Sequence, residues 1–113
     1  MINASCHCGA IQIEIRRKPR TLTDCNCSIC RRYGALWAYY QAGDIRVRGG
    51  RGARASYVWG ERNIRFVRCR ACGCITHWEA TNPAFERVGV NARNFPPEVL
   101  KGIRVQRFDG AAA

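Results

Sequence analysis

Cys69-Arg-Ala-Cys-Gly-Cys-Ile-Thr-His-Trp78 carries both signals that decide the fold. Its first half is a metal knuckle. Cys69 and Cys72 stand on a tight turn, and Gly73 allows the unusual backbone that such a turn needs. Its second half alternates: Cys74, Thr76 and Trp78 fall on one face, Ile75 and His77 on the other, the period of a strand. A thiolate pair running straight into a strand reads as a small β protein held together by metal.

One knuckle offers two ligands, and a structural tetrahedral zinc takes four. Cys6-His-Cys8-Gly9 is the natural other half, again a tight pair followed by Gly. Joining the two closes a loop from residue 8 to residue 69, and zinc ligation of this kind is worth on the order of 10 kcal/mol of folding free energy. His7, between two ligands that share a side, points away. Cys25-Asn-Cys-Ser-Ile-Cys30 differs, because it places three thiolates within six residues. Three protein ligands and an open position is the pattern of a catalytic zinc. Cys74 is read as a non-ligand, since the chain leaves the knuckle there as a strand; as a fourth ligand it would close the second site and make it structural. An iron–sulfur cluster also fits the spacing alone. Disulfides are disfavoured, because Cys-x-Cys neighbours bridge badly and Met1 to Gly9 is too short and polar for a signal peptide.

Period-two alternation recurs along the chain: Ile11, Ile13, Ile15; Ile45, Val47; Ala53, Ala55, Tyr57, Trp59; Ile64, Phe66; Val88, Val90, Ala92; Ile103, Val105. These are half-buried strands, one face on a core and one wet. Gly43-Asp44, Gly49-Gly50 and Gly60-Glu61 separate them. Gly34 to Gln41, with Trp37, Tyr39 and Tyr40, reads as a strand covered on both faces. Helix is confined to a turn after Ser28 and another after Phe95-Pro96-Pro97, ended by Gly102. The expected architecture is mainly β, built of small antiparallel sheets with short helical turns. Residues 1–110 form one domain, and 111–113 read as a frayed tail.

With 113 residues the chain has room for one domain, with a radius of gyration of about 13 Å. Leu, Ile, Val and Phe number 23, a thin core that makes metal staples useful. No apolar run approaches the roughly 18 residues of a membrane span. A cytoplasmic protein, monomeric or weakly dimeric, is the expectation. The formal charge is +11, with 17 Arg and two Lys against eight acids. Seven zinc-bound thiolates on two zinc ions would lower it to about +8. The basic residues are spread rather than clustered, which suits a solvated surface and acidic small molecules.

Ser5-Cys-His-Cys-Gly-Ala-Ile11, Cys25-Asn-Cys-Ser-Ile-Cys-Arg-Arg-Tyr-Gly34, Cys69-Arg-Ala-Cys-Gly-Cys-Ile-Thr-His-Trp78 and Gly89-Val-Asn-Ala-Arg93 stand in that order. Together they resemble the motifs of the glutathione-dependent formaldehyde-activating enzyme family, which includes centromere protein V. The resemblance implies a zinc-stapled β-tent with two zinc ions per chain. Cys6, Cys8, Cys69 and Cys72 match the structural zinc; Cys25, Cys27 and Cys30 match the catalytic-type one. It implies a carbon–sulfur lyase acting on a glutathione–formaldehyde adduct or another thiol–aldehyde adduct, with glutathione as substrate or co-substrate.

That chemistry suits a three-thiolate zinc, which can take a fourth thiolate and lower its pKa. Glutathione is anionic, so Arg31, Arg32 and Arg93 are candidates for its carboxylates, and Asn91 for a hydrogen bond to substrate. Their alternative roles are solvated charge, carbonyl capping and strand-end structure. His77 beside Trp78 reads as a structural residue, and Tyr33, Trp37 and Tyr40 read mainly as core. The competing function is a non-catalytic zinc-ribbon module that uses its Arg-rich surface on nucleic acid or a protein. Nucleic acid is the less expected partner, because no basic run is interleaved with aromatics.

Overall fold

The computed structural model describes residues 1–49 and 51–112, with backbone only at 51. The strands are β1 (Ile2–Ser5), β2 (Gln12–Ile15), β3 (Thr21–Cys25), β4 (Trp37–Gln41), β5 (Ile45–Arg48), β6 (Arg54–Val58), β7 (Ile64–Cys69), β8 (Ile75–Ala80), β9 (Arg87–Asn91) and β10 (Arg104–Phe108). Two short α-helices, α1 (Ser28–Tyr33) and α2 (Pro97–Leu100), join them. The fold is mainly β, as the alternation predicts. Three strands form one sheet in the order β1-β2-β5, and seven form a second in the order β10-β3-β4-β9-β8-β7-β6.

The two sheets meet over one apolar layer. Ala4, Ile13 and Ile15 from the small sheet pack with Leu22, Ala38, Tyr40, Val88 and Val90 from the large one. Each is one tooth of a period-two pattern, so its alternate neighbours face the other way. On the large sheet those neighbours make a second layer: Cys25, Trp37 and Phe66, covered by Cys30, Ile29 and Tyr33 of α1. The thin core is thus divided: Cys25, Cys27 and Cys30 belong to the second layer, and Cys6, Cys69, Cys72 and Cys74 gather with Ile11 in a third cluster. The radius of gyration is 13.3 Å.

One pairing departs from the expected antiparallel pattern. β10 runs parallel to β3, with Gln106 beside Thr23 and Phe108 beside Cys25. The alternation of Ile103 and Val105 predicts a half-buried strand, but all five β10 residues are exposed. β10 is an edge strand with no layer over it, so only its backbone is paired. The opposite edge behaves alike: Tyr57 of β6 and Trp59 are 48% and 42% exposed. Residues 111–113, read as a tail, begin at a fixed point, because the Ala111 N–H donates to Asn26 Oδ1 at 3.0 Å. Gly50 of the Gly49-Gly50 break and Ala113 of the tail lie outside the described residues.

Candidate metal centre

The first cysteine cluster forms where the β1–β2 turn meets the knuckle after β7. The Sγ atoms of Cys6, Cys8, Cys69 and Cys72 all lie within 4.8 Å of one another. Cys6 to Cys8 is 3.7 Å, and Cys8 to Cys69 is 3.6 Å across 61 residues of chain. Zinc–sulfur bonds of about 2.3 Å in a tetrahedron place sulfurs about 3.8 Å apart, so this donor set fits zinc. The backbone is aimed to suit anionic sulfur. Ile11 N–H donates to Cys6 Sγ at 3.3 Å. The amides of Cys74 and Cys8 draw the Cys72 thiol down to about 5. Cys74 itself stands beside this cluster, packed near Cys6, Ile11 and Cys69, and is gathered into neither sulfur group.

The second cluster is built by the end of β3 and the start of α1. Cys25 is the last strand residue, Cys27 is the helix N-cap, and Cys30 lies one turn in. A strand end followed at once by a helical turn folds three sulfurs onto one point, all within 4.8 Å. Cys30 N–H donates to Cys27 Sγ at 3.4 Å, the ordinary N-cap bond with sulfur as acceptor. Burial pushes the Cys27 thiol up, but the amides of Cys30 and Ile29 and the two neighbouring thiols outweigh it, and its pKa is lowered. Burial pushes the Cys25 and Cys30 thiols up. Buried Trp37 donates its indole N–H to Cys30 Sγ at 3.3 Å. A three-sulfur set that fits zinc in this way leaves a tetrahedral ion one position for another donor.

A family model described as glutathione-dependent formaldehyde-activating enzyme matches residues 1–99. The chain belongs to that family. It is also similar to the crystal structure of a Rhodobacter sphaeroides protein, with a TM-score of 0.75 and 33% identity over 93% of this chain and 100% of the other. The family match ends in α2, so β10 and the turn after it lie beyond the matched region.

In this family member Arg32, Asn91 and Arg93 line one cleft of about 410 Å³, with Tyr33 and Cys74 also on its wall. Arg31 is exposed on α1 and is not part of that cleft. Much of this set is tied to the backbone. Asn91 Oδ1 accepts the N–H groups of Leu36 and Arg93, and its Nδ2 donates to Ile75 O at 3.0 Å. Arg93 Nε donates to Gly34 O at 2.6 Å, and Arg32 to Ser28 O at 2.8 Å. The bonds to Leu36 and Gly34 tie the segment that follows α1 to the end of β9, while the Arg32 bond stays within α1.

His77 faces away from the triad, into the space between the sheets. It is buried, with Nδ1 2.9 Å from Thr76 Oγ1. Its Nε2 has no hydrogen-bond partner among the described residues and stands 3.6 Å from the Glu79 carboxylate.

Three residues at the triad were not legible beforehand. Trp37 reads as core, and it is core, yet it also holds a sulfur. Asn26 reads as a spacer between two cysteines. Its Nδ2 donates to Asp109 Oδ1 at 3.0 Å, its Oδ1 accepts from Ala111, and its N–H donates to Phe108 O at 3.2 Å. Those bonds lay the turn after β10 against the triad. There a side chain on Gly110 would place its Cβ 2.6 Å from Cys25 Sγ. Nothing in the sequence near residue 110 signals a contact 85 positions away.

Proposed function

We propose that this protein is a zinc-dependent carbon–sulfur lyase that makes or breaks a thiol–aldehyde adduct of the S-hydroxymethylglutathione type. Cys6, Cys8, Cys69 and Cys72 hold a structural zinc, and Cys25, Cys27 and Cys30 hold the zinc at which substrate reacts. The observation that carries this reading is the gathering of three sulfurs at the end of β3, with no fourth protein ligand among the described residues. Family membership supports the substrate class.

The bound zinc would supply Lewis acidity that lowers the pKa of a thiol at its open position. The rest falls to the chain. Trp37 N–H and Cys30 N–H fix the orientation of two ligand sulfurs, the outer-shell support that tunes a metal site. Trp37 and Phe66, with ring centres 6.1 Å apart, and Tyr33, 5.5 Å from Phe66, exclude water from one side. In the forward direction the substrate sulfur bonds to the aldehyde carbon, and the thiol proton ends on the carbonyl oxygen, which becomes a hydroxyl. In reverse the C–S bond breaks and the hydroxyl proton returns to sulfur. The cleft lined by Arg32 and Arg93 would take one acidic end of the thiol; each guanidinium keeps N–H donors beyond the one it gives to a carbonyl.

The test is to measure zinc per chain and to follow glutathione–formaldehyde exchange by NMR. Two zinc ions and accelerated exchange that Cys27→Ser abolishes are expected. A two-zinc protein that leaves the exchange rate at its uncatalysed value overturns the reading.

A further inference from the structure

Strand pairing lines aromatic residues up across the large sheet. Tyr57 of β6 stands beside Phe66 of β7, Phe66 beside Trp78 of β8, Trp78 beside Gly89 of β9, and Gly89 beside Tyr39 of β4. Cross-strand partners share a face, and neighbouring strands lie about 4.8 Å apart, so this single row runs about 19 Å. Its members are scattered along the chain, which is why the sequence itself shows no basic run interleaved with aromatics.

Much of the row is open. Tyr57 is 48% exposed, and Trp59, directly after β6, is 42% exposed. Trp78 and Tyr39 are half-buried. Phe66 is buried beneath Tyr33, whose ring centre is 5.5 Å away. The Trp78 indole lies across the bare backbone of Gly89, which turns the other face of the ring away from the sheet.

Arginines flank the row on the same face. Arg68, two residues from Phe66, is exposed. Arg87, two residues from Gly89, lies over the Tyr39 ring at 4.0 Å from its centre, and such stacking orients the planar fork with its N–H edge free. Neither has a carboxylate partner among the described residues. Beyond Arg87, Lys18 and Arg20 add two more cations in a cleft that no carboxylate lines. The strands place no acid on this face: Asp24 of β3 and Glu79 of β8 alternate to the other side.

A face without acids that sets half-exposed rings among arginines offers one ligand both flat apolar surfaces and cations. Single-stranded nucleic acid carries the complement, unpaired base faces and a run of phosphates, whereas a duplex hides its base faces. We propose that this face of the large sheet binds single-stranded nucleic acid, with bases stacking on Tyr57, Trp59 and Trp78 and phosphates meeting Arg68 and Arg87. This binding is separate from the thiol chemistry and does not depend on it.

The experiment is fluorescence anisotropy on the zinc-loaded protein with a short labelled oligo(dT) and a labelled duplex of the same length. Wild type is compared with Tyr57→Ala, Trp59→Ala, Arg87→Gln and Arg46→Gln, with zinc content and circular dichroism as controls. Arg46 is exposed on β5 of the other sheet, so its variant removes the same charge elsewhere. Wild type should bind the single strand more tightly than the duplex. Tyr57→Ala and Trp59→Ala should each lose roughly fivefold or more in oligo(dT) affinity while keeping their zinc. Arg87→Gln should lose more than Arg46→Gln. Wild-type affinity in both aromatic variants, equal losses in the two arginine variants, tighter binding of the duplex, or no binding of oligo(dT) by wild type overturns the proposal.

Discussion

Trp37 shows how one side chain serves packing and chemistry together. Its ring fills the layer below the large sheet, and its N–H ends on Cys30 Sγ. Trp37→Phe keeps most of the ring and deletes the donor. Second-site zinc affinity should fall roughly 10–100-fold, the usual cost of losing an outer-shell partner, while the first site keeps its metal. Competition with a chromogenic chelator measures both. Gly89 is the matching case for space. The Trp78 indole lies across it, with Nε1 only 2.1 Å from where a Cβ would sit. Gly89→Ala must push that indole off its place beside Tyr39, so a loss of about 1–3 kcal/mol is expected, seen as a lower Tm. Neither role is written locally: an indole donor and a bare backbone face appear only once strands lie side by side. Cysteine spacing is different, because a short turn fixes where its sulfurs point, and the grouping into four and three is readable from residue numbers alone.

At the scale of elements, the two cysteine clusters do unequal work. The first joins the β1–β2 turn to the end of β7, and the second stays within one strand end and one helical turn. Cys72→Ser should therefore be largely unfolded or insoluble, because metal binding worth on the order of 10 kcal/mol is set against a total stability of about 5–15 kcal/mol. Cys27→Ser removes a half-buried N-cap and should lose one zinc while keeping its β-sheet circular dichroism. Equal collapse of the two variants would make the second site structural. The strands that alternation reveals are those with large apolar residues on one face. β1 and β3 escape because each carries only one such residue, Ile2 and Leu22, and β3 devotes its other face to Thr and Cys. The parallel direction of β10 has no local signature at all. It follows from where α2 and Gly102 return the chain.

For the whole molecule, charge and connectivity set the behaviour. A formal charge of +11 would make binding of the proposed acidic thiols salt-sensitive. Raising ionic strength from 0.01 M to 0.15 M shortens the screening length from about 30 Å to about 8 Å, so glutathione affinity should fall while 2-mercaptoethanol affinity holds. Titration at the two salt levels checks this.

Gly110 extends the same connectivity to inheritance. The seven sulfurs of the two cysteine clusters lie within the stretch shared with the family, residues 1–99, and the backbone that walls Cys25 lies outside it. The sulfur donors and the backbone packed against Cys25 thus come from separate parts of the chain. A single methyl group at position 110 would press directly on Cys25 Sγ and Cys27 Cβ, so a change outside the shared stretch reaches the sulfur triad itself.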